Sequence, residues 1–205
     1  MSGGSPFPLD VLLEPDETSL ERLLTGWLGP APLPAVVTAD GLPRALAEAI
    51  ATVHRWPDSF RQTWLATIET IDRRDGRLLI AVESQGNRTA VIDAIGANRD
   101  DPPVWTINGA DERQQVDDSV SAWVLKRTIE ELVIGSPGVR HADDADFLAG
   151  LTRLERVGPL EEPRGREWVR EWFYAGPEEL AFATREPDPG SFWRARRSVS
   201  TVAPG

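Results

Sequence analysis

The segment Glu83-Ser84-Gln85-Gly86-Asn87 contains side chains that could support chemistry at the end of a strand. An apolar run, residues 78–82, leads directly into it, which is typical of a buried strand that ends in a turn. The Glu83 carboxylate and the Gln85 amide could hydrogen-bond a ligand or the backbone of a partner. Alternatively, the segment is a hairpin turn in which Gly86 adopts a positive φ and Gln85 satisfies loop amides.

A second segment, Asp101-Pro102-Pro103-Val104-Trp105, opens another predicted strand. Its prolines cannot donate to a strand ladder, so they belong at the start of a strand or on a sheet edge. Trp105 is either a core residue whose indole N–H reaches an acceptor or, on the outer face of the sheet, an anchor for a partner. The prolines disturb the alternation of inward and outward side chains, so both interpretations stay open.

The sequence lacks the motifs of familiar enzymes and metal sites. His141 is followed by Asp143, Asp144 and Asp146, but this spacing is not that of an EF-hand loop, and no second histidine completes a zinc site. An acidic start to a short helix explains these residues more simply. No nucleophile elbow, phosphate-binding glycine loop or His-Glu-x-x-His helix is present. We therefore expect no catalytic residues, no metal and no cofactor.

The composition is that of an acidic globular protein. The net charge is −11, with 40% apolar and 27% charged residues, and the isoelectric point is about 4.7. Direct binding of nucleic acid needs many cations that face phosphates, so we expect none. An acidic surface can steer a basic protein partner into contact, although solubility alone also explains the charge.

Location is predicted from segments that the chain lacks. Cysteine is absent, and the N-terminal residues contain no basic region followed by a long apolar run. No apolar stretch approaches the roughly 20 residues that span a bilayer. We expect a cytoplasmic protein without membrane contact, and the oligomeric state is left open.

Secondary structure is predicted from apolar spacing and from Gly and Pro. The predicted helices cover residues 20–28, 43–54 and 119–134. The predicted strands of the first part are 64–71, 78–82, 89–95 and 104–107, with a turn at 72–76. Beyond residue 140 we expect a short helix at 144–151, strands at 154–157, 167–174, 180–184 and 192–202, and a loop at 158–165.

These elements predict an α+β fold, with a mostly antiparallel sheet packed against helices. We expect an N-terminal helix and linker over residues 1–34 and a single domain over 35–205. Within that domain, residues 40–135 form the predicted core and 150–202 the C-terminal strands. Whether residues 140–205 join the same sheet is left open.

Tryptophan is abundant, with eight in 205 residues. Trp27, Trp56, Trp172 and Trp193 adjoin polar or helix-breaking residues, so any that are exposed would suit a binding surface. The basic cluster at 194–197 is predicted to be a solvated strand edge.

The order of elements and two motifs resemble the SUKH superfamily over about residues 40 to 135. The usual family pattern is Glu-Asn-Gln-Gly, and Ser84 stands here in place of the asparagine. The double-proline segment that ends at Trp105 follows, and then the helix at 119–134. The resemblance implies an α+β fold and an immunity protein of a bacterial polymorphic toxin system. Such proteins bind and neutralise a toxin, often a nuclease, and no enzyme activity is implied.

The leading hypothesis is therefore a non-enzymatic immunity protein that binds a toxin domain, expected to be a nuclease. The protein–protein contact would cover the active site of the toxin or the path of its substrate. The alternatives are a regulatory or scaffolding SUKH domain without a toxin partner, and a small-ligand-binding protein or enzyme with a pocket at the strand ends. The residues predicted to contact a partner are Glu83, Gln85, Asp101, Trp105, Asp111, Glu112, Asp117 and Asp118.

Overall fold

The computed structural model describes residues 9–34, 41–57, 63–65, 71–83, 88–93, 99–108, 113–142, 145–164, 167–185 and 191–197. The α-helices in these ranges are α1 Leu9–Leu13, α2 Ser19–Leu28, α3 Arg44–Val53 and α4 Val120–Ile134. The strands before α4 are β1 Thr63–Leu65, β2 Asp72–Arg74, β3 Arg77–Glu83, β4 Arg88–Asp93, β5 Val104–Asn108 and β6 Arg113–Asp117. Those after it are β7 Arg140–Ala142, β8 Thr152–Arg153, β9 Leu160–Arg164, β10 Glu167–Ala175, β11 Glu179–Arg185 and β12 Ser191–Arg196.

The strands form two antiparallel sheets. The first has the order β1-β3-β4-β5-β6, with β2 also paired to β3. The second has the order β7-β12-β11-β10-β8, with β9 also paired to β10. The predicted α+β class is confirmed, and the residues after 140 build a sheet of their own.

Helix α4 lies between the two sheets and contacts strands of both. Its start is fixed by Ser119, whose Oγ accepts a hydrogen bond from the Ala122 backbone N–H at 3.2 Å. One hydrophobic core joins the helices and both sheets, with Leu23 of α2, Ile92 of β4 and Phe182 of β11 among its members. The N-terminal helices therefore contribute to the same core as the strands.

The turn between β2 and β3 is tighter than predicted. Arg74 pairs with Arg77, which leaves only Asp75 and Gly76 in the turn. These two residues have φ of +51° and +72°, as expected for a two-residue hairpin turn that matches the twist of its strands. The predicted turn at 72–76 was therefore too long, because its first three residues belong to β2.

Other differences concern polar or proline-containing strands. Strand β6 was not predicted, and the predicted strand at 154–157 is largely a turn. The predicted loop at 158–165 contains β9, in which Pro163 pairs opposite Trp168 of β10. In the region predicted as a short helix, the structure has a 3₁₀ helix, Ala145–Leu148.

The tryptophans considered for an exposed surface divide into two groups. Trp27 and Trp56 are core residues, 7% and 4% exposed. Trp193 packs against the core and its ring stacks on Phe182, with centroids 4.8 Å apart. Trp172 lies outside the core and is described below.

Candidate functional site

The strand register of the first sheet places Trp105 at the centre of one face. Val91 of β4 pairs with Leu79 on one side and with Trp105 on the other. Trp105 in turn pairs with Gln115 of β6. Because side chains directly opposite each other in a sheet share a face, these residues form one row.

A second row lies beside the first on the same face. Thr89 of β4 pairs with Val82 and with Ile107, and Ile107 pairs with Arg113. We call the surface formed by both rows the outer face. Its residues are Leu79, Val82, Thr89, Val91, Trp105, Ile107, Arg113 and Gln115.

The outer face is apolar and separate from the core. The opposite face of the same strands presents Leu78, Ala90 and Ile92 to the helices, and all three belong to the core. By contrast, among the described residues the five apolar side chains of the outer face are not part of that cluster of core residues. They are half-buried, apart from Val91, which is buried. The first sheet therefore carries apolar side chains on both faces, the pattern of a sheet that is covered on both sides.

Trp105 and Arg113 form the most distinctive contact on this face. The Arg113 guanidinium lies 4.0 Å from the centroid of the Trp105 ring, within the range of a cation–π interaction. Arg113 Nη2 also donates to Asp93 Oδ2 at 2.7 Å. The Trp105 indole nitrogen has no acceptor among the described residues. The structure thus places Trp105 on the face away from the core, the position that the anchor interpretation required.

Asp117 is predicted as a rim residue of the partner surface, but the structure places its carboxylate in a buried ion pair. Its side chain is 5% exposed, and its Oδ2 accepts a hydrogen bond from Lys126 Nζ at 2.6 Å. Lys126 Nζ also donates to the Pro159 carbonyl at 2.9 Å. Burial raises the pKa of Asp117, and the nearby Lys126 opposes that shift. The Asp117 carboxylate is therefore already paired with Lys126.

Asp101 and Asp118 lie near the start of α4. Asp101 accepts hydrogen bonds from the Ser121 backbone N–H at 3.0 Å and from the Ser121 hydroxyl. Asp118 is exposed and accepts a hydrogen bond from Gln115 Nε2 at 2.7 Å. Because Gln115 belongs to the outer face, Asp118 lies at the border of that face.

The predicted pocket around Glu83, Gln85 and Asp101 is not formed by the residues that can be placed. Glu83 pairs with Thr63 at one end of the first sheet. Asp101 precedes Val104, which pairs with Asp117 at the other end. The side chain of Glu83, and all of Gln85, Asp111 and Glu112, lie outside the described residues.

The second sheet also has a tryptophan on the face away from the core. Trp172 pairs with Ala183, whereas the side chains of Phe173 and Ala175 on the same strand point the other way, into the core. The Arg153 guanidinium lies 3.6 Å from the centroid of its ring. Trp172 is therefore a matched counterpart of Trp105 on a different sheet.

No metal site can be assembled from the part of the chain that the structure describes. His141 instead contacts the Trp193 ring, with centroids 4.9 Å apart, and Asp143 and Asp144 lie outside the described ranges. The described helices are all too short or too polar to cross a membrane.

Comparisons with protein-family models, with curated proteins and with solved structures give no match.

Proposed function

We propose that this chain is a toxin-neutralising immunity protein that acts without catalysis, by binding a toxin domain through the outer face. The observation that carries the proposal is the set of five apolar side chains outside the core, with Trp105 at their centre. Tryptophan and arginine are the residue types that most often dominate binding energy at protein interfaces. Trp105 stacked with Arg113 supplies both at one point.

The size and charge of the chain fit a protein partner. A stable interface buries roughly 1,200–2,000 Å² in total, and the outer face extends across β3, β4, β5 and β6. The net charge of −11 would accelerate the approach of a basic domain such as a nuclease. The contact would neutralise the toxin by covering its active site or the path of its substrate, and a cytoplasmic location is part of the same proposal.

The resemblance to the SUKH superfamily supports this proposal through the order of motifs around residues 83–87 and 101–105. An α+β fold with helices on one side of an antiparallel sheet agrees with the architecture that the resemblance implies. The toxin itself is not identified by either observation.

The test is co-expression with toxin domains encoded beside this gene. We expect the wild-type chain to restore growth of cells that produce one of these toxins and to co-purify with it. If the chain neutralises none of them, the proposal is wrong. If it instead copurifies with a cellular protein and no toxin, a regulatory or scaffolding role replaces it.

A further inference from the structure

A third row of residues lies beside the outer face, on the same side of the first sheet. Arg77 of β3 pairs with Asp93 of β4 and, on its other side, with Arg74 of β2. Arg77 precedes Leu79 by two residues, and Asp93 follows Val91 by two. Since alternate residues of a strand share a face, Arg77 and Asp93 point the same way as the outer face, about 7 Å further along the strands.

Asp93 has an arginine on each side but bonds only one of them. Its Oδ2 accepts a hydrogen bond from Arg113 Nη2 at 2.7 Å, and the Arg113 guanidinium lies over the Trp105 ring on the way. In the described part of the chain, the Arg77 side chain has no hydrogen bond or ion pair. The carboxylate nearest to Arg77 in the sheet is thus already engaged by another cation.

The other carboxylate at this end of the sheet does not replace Asp93. Asp72 of β2 pairs opposite Leu79 and already has a partner of its own. Arg77 is nevertheless half-buried, and its guanidinium carries five N–H donors and a permanent charge. In the free chain these donors remain for solvent.

A partner that covers the outer face also removes solvent from its border, where Arg77 lies. Burying a charged donor without an acceptor costs several kcal/mol, so a stable complex has to supply one. A backbone carbonyl satisfies one N–H and leaves the charge uncompensated. A carboxylate accepts two parallel N–H bonds from a guanidinium and neutralises it, and the apolar side chains of Leu79 and Val91 beside it strengthen that attraction.

We infer that the toxin domain bound by the outer face places an aspartate or glutamate carboxylate against Arg77. The inference rests on the proposed function and adds the chemistry of the contact. It also separates two effects of charge. The net charge of −11 attracts a basic domain from a distance, whereas the contact at Arg77 selects an acidic residue on the surface of that domain.

The test is a matched pair of charge reversals, Arg77→Glu and Arg99→Glu. Arg99 is exposed and precedes Asp100, whose carbonyl accepts the Ala45 N–H of α3, so it lies on the helical side of the sheet. Each variant makes the chain more negative by the same amount. Both are titrated by calorimetry against the toxin domain that the wild type neutralises.

The two effects of charge predict opposite results for Arg77→Glu. If a carboxylate faces Arg77, like charges meet, and the affinity should fall about tenfold or more. Arg99→Glu should bind as well as the wild type or slightly better, because it changes only the long-range attraction. Binding by Arg77→Glu that equals or exceeds that of the wild type would overturn the inference and leave the proposed function intact. A wild-type chain that binds no toxin domain would remove both.

A milder pair covers the case in which Arg77→Glu does not fold, as judged by circular dichroism. Arg77→Gln removes the charge without adding another, and we expect it to weaken binding about fivefold relative to Arg99→Gln. Equal affinities of Arg77→Gln and Arg99→Gln would also overturn the inference.

The acceptor is identified by replacing the surface carboxylates of the toxin domain one at a time, Asp by Asn and Glu by Gln. One replacement should weaken binding of the wild type and have no further effect on Arg77→Gln, because the two groups act as one pair. If no toxin carboxylate is coupled to Arg77 in this way, the inference is wrong.

Discussion

Each sheet carries a tryptophan on the face away from the core, with an arginine stacked on its ring. In the first sheet Arg113 lies 4.0 Å from the Trp105 centroid, and in the second Arg153 lies 3.6 Å from the Trp172 centroid. The two contacts are alike in chemistry, yet their surroundings differ. An aromatic residue on an outer strand face is therefore not by itself a sign of a binding surface.

The two outer faces differ in whether side-chain hydrogen bonds hold another segment of the chain across them. On the second sheet, Arg194 Nη1 donates to the carbonyls of Phe147 and Ala149 at 2.7 and 3.3 Å, which ties the segment around the 3₁₀ helix across the strands. Its Nε and Nη2 also donate to both oxygens of Glu179. On the first sheet, within the described part of the chain, the side-chain hydrogen bonds of Asp93, Arg113 and Gln115 stay within the sheet or reach Asp118. Among the described residues, the segment around the 3₁₀ helix is thus tied across the outer face of the second sheet, and no such tie crosses the outer face of the first sheet.

The two sheets are expected to unfold as one cooperative unit, and a variant of Lys126 should have the largest effect on that unit. Lys126 is the only lysine among the 22 Lys and Arg residues, and its buried ammonium joins α4 to Asp117 of β6 and to Pro159 before β9. We expect Lys126→Ala to lower the free energy of unfolding by about 3–5 kcal/mol, because it leaves Asp117 buried without a counter-ion. Urea unfolding followed by circular dichroism and by tryptophan fluorescence measures the loss.

The control for this prediction replaces both charges. A Lys126→Met and Asp117→Leu double variant removes the pair without leaving a buried charge, so its stability should lie close to that of the wild type. Two separate unfolding transitions in the wild type would show that the sheets do not form one unit.

The closure of the second face depends on Arg194, whose side chain is 15% exposed. We expect Arg194→Met to cost about 2–3 kcal/mol of unfolding free energy, since it removes several hydrogen bonds made by a charged group. Hydrogen exchange should rise first at backbone amides of residues 145–151. If those amides keep their protection, Arg194 does not hold the segment across the sheet.

The pH dependence of stability probes the same closure. The hydrogen bonds from Arg194 hold the pKa of Glu179 below its ordinary value of 4.5. A lowered folded-state pKa means that this contribution is fully present above pH 4.5 and is lost as pH falls through the folded pKa. We expect wild type to exceed Glu179→Gln in stability by about 1 kcal/mol near neutral pH, with the difference shrinking in acid. A difference independent of pH would contradict this assignment.

On the outer face of the first sheet, the contacts of Arg113 should contribute least to the stability of the protein. Arg113 and Asp93 have side chains 27% and 42% exposed, and partly exposed pairs contribute about 1 kcal/mol or less. We therefore expect Arg113→Met to change the free energy of unfolding by less than about 1 kcal/mol. A loss as large as that of Arg194→Met would mean that the first face also serves stability, which would remove the distinction between the two sheets.

Much of the fold follows from local sequence. Apolar residues at helical spacing, with Gly135 after the last of them, were enough to place α4, and a continuous apolar run placed β3. Strand β6 was missed because Gln114 and Gln115 give it no apolar pattern, and its position depends on pairing with β5. Pro163 argued for a loop where β9 pairs with β10, a contact that only tertiary structure supplies.

The site was harder to predict than the fold, for two physical reasons. The face of Trp105 depends on register, and the pairing of β5 with β6 shifts between Val104 and Trp105. Without β6, Arg113 could not be recognised as the partner of Trp105. The burial of Asp117 likewise depends on Lys126, nine residues later, and the one signal available was that the chain has a single lysine.

The central claim is tested most directly by comparing the two tryptophans in one binding measurement. Purified wild type, Trp105→Ala and Trp172→Ala would each be titrated against the toxin domain that the wild type neutralises, after circular dichroism has shown that all three are folded. The account predicts about 30-fold or greater weakening for Trp105→Ala and wild-type affinity for Trp172→Ala. Equal affinity of Trp105→Ala and wild type, or equal weakening by both variants, would contradict it.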